Sequence, residues 1–386
     1  MKKALFVALI GAAILAVPAS AVTRGESAQG ASPQSLASRV ADCTSGQIGF
    51  MGPITGPVAF LGKEQLNWAK FAVDNYNKAS GTHFKLLQGD TQLNPKLALT
   101  VGTKFTANSS LLATIGPAGS QEVIAIGPLF KRKTFPYISS SATNATLTTG
   151  KYPTFSRVVG SDRAQGRSDA EFMVKKLKAK KVVIVDDQEA YSTGLAAAAT
   201  VVLKAAGVKV QRESVNQKVT DFSSLVTKVG DDVNVVFLPW QVAANGQLFA
   251  DQMLEQGKTA KVFGSDGLDS GDFHPSGAYV SSFARDIHGL PGTKNIIAAY
   301  NKQYGTKWST FGPPAYTAAL VIATAYKRAC SDGRASRVEL LRQIRSTKIP
   351  HSILGIPITF DRHGDVPAAK FYVFQIQKDG SHKLVS

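Results

Sequence analysis

Two clusters of small polar residues carry the chemistry that the sequence offers. They are Gly116-Pro117-Ala118-Gly119-Ser120 and Ser139-Ser140-Ser141-Ala142-Thr143-Asn144. Each closes a short apolar run, residues 111–115 and residues 136–139. Ser120 precedes a helical spacing over residues 121–130, so it reads either as an N-cap or as part of an anion site. The free N–H groups and dipole of a helix start suit a carboxylate. The second cluster reads otherwise as a polar turn.

Further along, Asp186, Asp187, Glu189 and Tyr191 follow the apolar run 181–185. Pro239, Trp240 and Gln241 follow run 233–238, and Asp266 follows run 261–264. An acid on one crest facing hydroxyls and N–H donors on another makes a dipolar slot, which matches an amino acid zwitterion. Aspartates at strand ends also cap helices, so Asp266 alone decides nothing.

Catalysis and metal chemistry find little support. The six histidines (His83, His274, His288, His351, His363, His382) are scattered, without helical pairs or metal-ligand spacing. No Gly-x-Ser-x-Gly elbow, phosphate-binding loop or dinucleotide fingerprint follows the first strand. No enzyme, no cofactor and no metal are therefore expected. The formal net charge of +17 comes from dispersed lysines and arginines, which reads as solubility or attraction to an anionic membrane surface rather than nucleic-acid binding.

The elements that must position these residues alternate in type. Strand candidates at 47–51, 84–87, 111–115 and 136–139 are interleaved with helical spacings at 63–78, 95–107 and 121–130. A second series runs from about residue 160 to 264, with strands at 181–185, 208–214, 233–238 and 261–264 between helices. Such alternation predicts an α/β fold with two doubly wound parallel sheets, whose ligand crevice lies at the strands' carboxyl ends. Helices resume at 295–304, 314–329 and 337–346, turn residues occupy 360–365, and residues 369–377 alternate like a strand. At 386 residues the length favours two domains.

Residues 1–21 have the pattern of a secretory signal: Lys2 and Lys3, an apolar stretch over 4–17, then Ala19-Ser20-Ala21. No cysteine follows Ala21, so a lipoprotein is not expected. Residues 22–44 read as an arm rich in Ser, Ala and Gly. Export places the only two cysteines, Cys43 and Cys330, in an oxidising compartment where a bridge between them is expected.

The run from Ile48 to Gly62, Ile-Gly-Phe-Met-Gly-Pro-Ile-Thr-Gly-Pro-Val-Ala-Phe-Leu-Gly, resembles the first strand and loop of periplasmic binding proteins for branched-chain amino acids, which serve ATP-driven importers. Further matches are Asp90…Asn94-Pro95…Ala98, Ile115-Gly116…Ser120, Ser139…Ala142-Thr143-Asn144, Tyr191…Gly194, Gly264-Ser265-Asp266-Gly267 and Phe360-Asp361…Gly364-Asp365. The resemblance covers nearly all of residues 47–380. It implies a Venus-flytrap architecture of two lobes joined by a three-strand hinge, residues 45–160 plus 288–362 and residues 161–287 plus 363–386.

By the same resemblance Ser120 and Thr143 would hold a ligand carboxylate and the backbone near Ser141 would touch the ligand. Asp266 would face the ammonium, Tyr191 would sit at the opposite rim, and Trp240 or Gln241 would fall near an aromatic wall. The chain departs from the family in three ways. Asp266 stands where glutamate is usual, Leu61 where an aromatic often covers the ligand, and Gly119 where a small disulfide is usual. The implied partners are an amino acid and an ABC transporter permease, with a monomeric, extracytoplasmic protein between them. Alternatives are an amide or other small solute, a ligand-sensing receptor module, a secreted hydrolase, and a sugar-responsive regulator disfavoured by export.

Overall fold

The short apolar runs become strands because a parallel sheet covered on both faces demands side chains that are apolar in both directions. The computed structural model describes residues 40–42, 46–330 and 333–386. The chain begins with β1 (Val40–Asp42), β2 (Gln47–Gly52), α1 (Ala59–Ser80), β3 (Lys85–Asp90), α2 (Pro95–Ala107), β4 (Leu111–Ile115), α3 (Ser120–Arg132), β5 (Tyr137–Ser139) and β6 (Phe155–Arg157). It continues with α4 (Asp162–Lys175), β7 (Lys181–Asp186), α5 (Ala190–Ala205), β8 (Lys209–Ser214), α6 (Ser223–Thr227), β9 (Val235–Leu238), α7 (Ala243–Glu255), β10 (Lys261–Gly264) and β11 (Tyr279–Ser282). Then come α8 (Lys294–Tyr304), α9 (Gly312–Ala329), β12 (Arg334–Ser336), α10 (Arg337–Arg345), β13 (Lys348–Ile349), β14 (Ile358–Thr359), β15 (Tyr372–Ile376) and β16 (His382–Leu384).

Two sheets organise these elements. The five-stranded sheet has the order β3-β2-β4-β5-β6 and is parallel throughout. The seven-stranded sheet has the order β16-β15-β11-β10-β9-β7-β8, parallel from β8 to β11 with β15 and β16 added antiparallel. Every residue of β4 and β9 is buried. The fold is that of two doubly wound halves, and the chain passes between them three times, through residues 158–161, 283–293 and 360–371. Val159, Phe283 and Ala284 from two crossings pack with Leu61, Ala118 and Phe311 in one apolar cluster, flanked by Phe371 from the third.

Local signals set several boundaries. Asn94 caps α2, its side chain accepting the N–H of Lys96 (2.8 Å) and Leu97 (3.3 Å), and Pro95 opens the helix. In the turn at 360–365, Asp361 Oδ1 accepts the N–H of His363 (2.8 Å) and Asp365 (3.0 Å).

Seven of the strands, β1, β6, β11, β12, β13, β14 and β16, were not expected from the sequence. Val40–Asp42, within the stretch read as an arm, pairs antiparallel with Arg334–Ser336. β6 holds Arg157 fully buried, a side chain that periodicity scores as surface. β11 ends in two buried serines. Cys330 is disulfide-bonded. Cys43, expected as its partner, lies outside the described residues, as do the signal segment 1–21 and most of the arm. Among the described residues no helix is long and apolar enough to cross a membrane.

Candidate functional site

The carboxyl ends of both sheets face one narrow gap. On the five-stranded side, β4 is followed by Gly116, whose φ is +91°. A Cβ there would lie 2.0 Å from the Met51 carbonyl oxygen, so only glycine lets β4 and β2 run this close. Gly119 then precedes α3, and its N–H donates to Glu122 Oε2 (2.7 Å). Ser120 is thus the first residue of the helix rather than its cap. It is buried, and its Oγ accepts the N–H of Asn144 (3.2 Å).

The crest after β5 is fastened to the crest after β4. Ser139 Oγ donates to Pro117 O (2.6 Å) and accepts the N–H of Ala142 (2.9 Å). Ser141 Oγ donates to Ala118 O (2.9 Å) and accepts from Gln65 Nε2 (2.9 Å). Arg157 binds the same crest from below. Its guanidinium donates to Asn144 O (2.9 Å), Thr148 Oγ1 (2.9 Å) and Asp365 Oδ1 (2.6 Å). The two hydroxyl clusters are therefore one rigid platform. Thr143 is fully buried in it, its hydroxyl beside the Asp162 carboxyl.

Acids converge from the seven-stranded side. Tyr191, at the start of α5, donates from its phenol to Asp266 Oδ1 (2.6 Å) and lies 2.7 Å from Ser265 Oγ. Asp266 is buried, and burial pushes its carboxyl up to about 7 against the lowering hydrogen bonds of Tyr191 and Gln165. Asp162, the first residue of α4, is fully buried beside the Thr143 hydroxyl, and its N–H donates to Thr143 O (2.7 Å). Burial raises it to about 7 as well, the nearby Asp266 charge adds to this, and the Thr143 hydroxyl and Arg157 oppose it. Behind them Gln165 Nε2 donates to Ser281 Oγ (3.0 Å), which donates to Asp169 Oδ2 (3.1 Å). Burial first, then the charges of Asp266 and Asp162, hold Asp169 well above the usual carboxylate range. An unpaired buried carboxylate is costly, so this cluster favours either protons or a cation.

Hydrogen bonds between the halves beside the gap include Gln121 Nε2 to Gln241 Oε1 (3.0 Å), Asn144 Nδ2 to Ala190 O (2.6 Å) and the Asp162 N–H to Thr143 O (2.7 Å). A Cβ on Gly194 would sit 2.5 Å from Asn144 Nδ2, so a glycine lets α5 approach this side chain. Leu61, Ser141, Tyr191, Gln241 and Asp266 line the gap, joined by Val58, Leu93, Ala118 and Phe311. Its volume is about 10 Å³, room for roughly one water.

Trp240 lies elsewhere. Its indole N–H donates to Val185 O (2.7 Å), and its ring packs 5.0 Å from Phe222 and 5.6 Å from Phe249 in the core of the seven-stranded half. Of the two wall alternatives, Gln241 lines the gap, not Trp240. Sequence reasoning missed Asp162, Gln121, Gln65, Leu93 and Phe311. Asp162 had a usable signal, Ser161-Asp162 opening a helix at the boundary between the two series. Among the described residues no group of three or more His, Cys, Asp or Glu could hold a metal ion.

Comparison with known proteins adds the following. A family model described as periplasmic binding protein matches residues 46–381. A leucine-, isoleucine-, valine-, threonine- and alanine-binding protein of Pseudomonas aeruginosa is 27% identical over 351 residues, covering 88% of this chain and 92% of the relative. The branched-chain amino acid transporter substrate-binding protein of Streptococcus pneumoniae, solved with isoleucine, superposes with a TM-score of 0.80 at 25% identity, covering 88% of this chain and 99% of that one. A solute-binding protein of Rhodopseudomonas palustris, solved with 3,4-dihydroxybenzoic acid, shares the fold with a TM-score of 0.78 at 20% identity, covering 89% and 97%.

Proposed function

The chain belongs to the periplasmic binding protein family, and from that premise we propose that it captures a small aliphatic amino acid of the leucine, isoleucine and valine class and delivers it to the permease of an ABC importer. The family is one of solute-binding proteins, not enzymes. The observation that carries the reading is that Asp266, held by Tyr191, lines one gap with Ser141 of the hydroxyl platform beside the start of α3, while Asp162 meets Thr143 of that platform outside the lining, its N–H donating to Thr143 O (2.7 Å). An ammonium answers the two buried acids. A carboxylate answers Ser120, the Thr143 hydroxyl and the backbone at Ser141, beside the start of α3. Leu61, Val58, Leu93 and Phe311 leave only apolar surface for the side chain. Tyr191 orients Asp266, and Gln241 closes the rim through Gln121.

The gap is smaller than any amino acid, so entry requires the halves to part about the three crossings. We take the moving bodies to be residues 45–160 plus 288–362 and residues 161–287 plus 363–386. Export through a cleaved signal, a monomeric state and a Cys43–Cys330 bridge complete the reading.

The test is calorimetric titration of leucine, isoleucine and valine, with a panel of amides beside them, into the mature protein and its Asp266→Asn and Ser120→Ala variants. Leucine should bind the parent chain. Asp266→Asn should cost about 3–5 kcal/mol, because the ammonium loses its buried partner. Ser120→Ala should cost about 1.5–3 kcal/mol. Unchanged leucine binding by Asp266→Asn would falsify the assignment, and binding of amides alone would replace the ligand class.

A further inference from the structure

A second cavity shares no lining residue with the gap. Its walls come from residues 269–271 after β10, Arg285 and His288 in the second crossing, residues 308–310 before α9, and Phe374 and His382 of the last two strands. Its volume is about 340 Å³, within the range of small-molecule sites and far larger than the gap.

The polar groups of this cavity are satisfied with one exception. Asp269 accepts from Thr310 Oγ1 and pairs with His382 Nδ1 (3.0 Å). Asp286 pairs with His288 Nδ1 (2.6 Å). Arg285, half-buried, is left over: its Nε has no hydrogen-bond partner, and among the described residues no carboxylate pairs with its guanidinium. A guanidinium that lines a cavity without an ion pair suits an acceptor, and a planar carboxylate meets its fork best. The flanking surfaces are flat and apolar. Trp308 stacks on His288 with centroids 5.0 Å apart and planes at 13°, and the Phe374 ring lies 6.3 Å from His382. Asp269 and Asp286 in the same walls oppose a dianion such as phosphate.

We propose that this cavity is a second binding site, taking a planar aromatic monocarboxylate whose carboxylate meets Arg285 while its ring lies among Trp308, His288 and Phe374. The inference does not depend on what fills the gap. The walls belong to both halves, with Thr310 and Asp269 joined across them, so an occupant holds the halves in this relation and favours closure.

Benzoate is the probe, titrated into the full mature chain by calorimetry and by tryptophan fluorescence. Trp308 lines the cavity, whereas Trp68 and Trp240 are buried in cores. The expected result is one equivalent bound, with fluorescence quenched, and no displacement by saturating leucine. Arg285→Met should weaken benzoate by about tenfold to a hundredfold. Arg285→Lys, which keeps charge but loses the fork, should also weaken it, and both variants should bind leucine as the parent does. The proposal is overturned if the parent chain does not bind benzoate, if both Arg285 variants bind it equally well, or if leucine displaces it and Asp266→Asn abolishes it. The last outcome would place benzoate in the gap. Inorganic phosphate binding as tightly as benzoate would also overturn the choice of an aromatic monocarboxylate.

Discussion

Leucine affinity should depend on pH below neutrality, and the structure sets the sign and size. Burial raises Asp266 and Asp162 to about 7 in the arrangement described. At pH 5 a group titrating near 7 is ionised in about one molecule in a hundred, so an ammonium must first displace a proton. Per group, affinity falls about tenfold per pH unit below 7, near a hundredfold or about 2.7 kcal/mol by pH 5. Calorimetry at pH 5, 6, 7 and 7.5, in buffers of different ionisation enthalpy, reads both the dissociation constant and the protons released. For each acid that the ammonium ionises, we expect about one proton released near pH 6 and about a quarter of one at pH 7.5. Asp266→Asn should remove the share of Asp266 and leave that of Asp162. The same shifts govern the ligand-free chain. Its folded carboxyls bind protons more tightly than unfolded ones, so stability falls as pH rises from about 4 to 7. Leucine should cancel that fall. A dissociation constant unchanged between pH 5 and 7.5, with no proton release, would show that the acids are already ionised before ligand arrives, and the argument from burial would fail.

Two further outcomes follow from the platform and the rim. Arg157→Met strips Asp365 and two crest carbonyls of their donor, and should lower stability by about 3 kcal/mol, read as a fall in melting temperature. It should weaken leucine binding too, since the crest bearing Thr143 loosens; intact affinity would show that the crest holds without it. Gln121→Leu and Gln241→Leu each remove the cross-gap hydrogen bond. Singly each should weaken leucine by about 0.5–1.5 kcal/mol, and the double variant no more than one single, because they break the same bond. Full additivity would mean that the two amides act separately.

What the sequence made legible was whatever follows from chain order. Ser120, Tyr191 and Asp266 each stand just past a strand, and parallel strands deliver their carboxyl ends to one edge, so position alone nominated them. Direction was another matter. Trp240 and Gln241 are neighbours at the end of β9, and successive side chains in extended backbone point opposite ways. Which of them faces the gap depended on whether the indole N–H found a carbonyl inside, and Val185 O supplied one. Arg157 hid β6 for a related reason, since a buried guanidinium is tolerated only where acceptors surround it, and Asp365 arrives from residues far along the chain. Asp162 was passed over because an acid opening a helix has an adequate local explanation. Its burial beside Asp266 is a property of two halves meeting, which no local pattern encodes.

That meeting also indicates why closure and binding should be one event. With the halves together two buried carboxyls lie close to one another, Asp162 beside the Thr143 hydroxyl and Asp266 holding a phenol. Each is a desolvation cost that closure alone does not offset. A zwitterion lodged there supplies a cation to the acids and an acceptor to the hydroxyl, so it stabilises the closed form more than the open one, which is the only way a ligand can shift such an equilibrium. In the proposed pose its apolar end would meet Leu61, Ala118 and Phe311, the residues that pack directly on Val159, Phe283 and Ala284 of the crossings. Side-chain fit in the gap is therefore felt at the hinge. A ligand with the right charges but too bulky a side chain should bind yet hold the halves apart, a state that small-angle scattering would separate from the leucine-bound one by its larger radius of gyration.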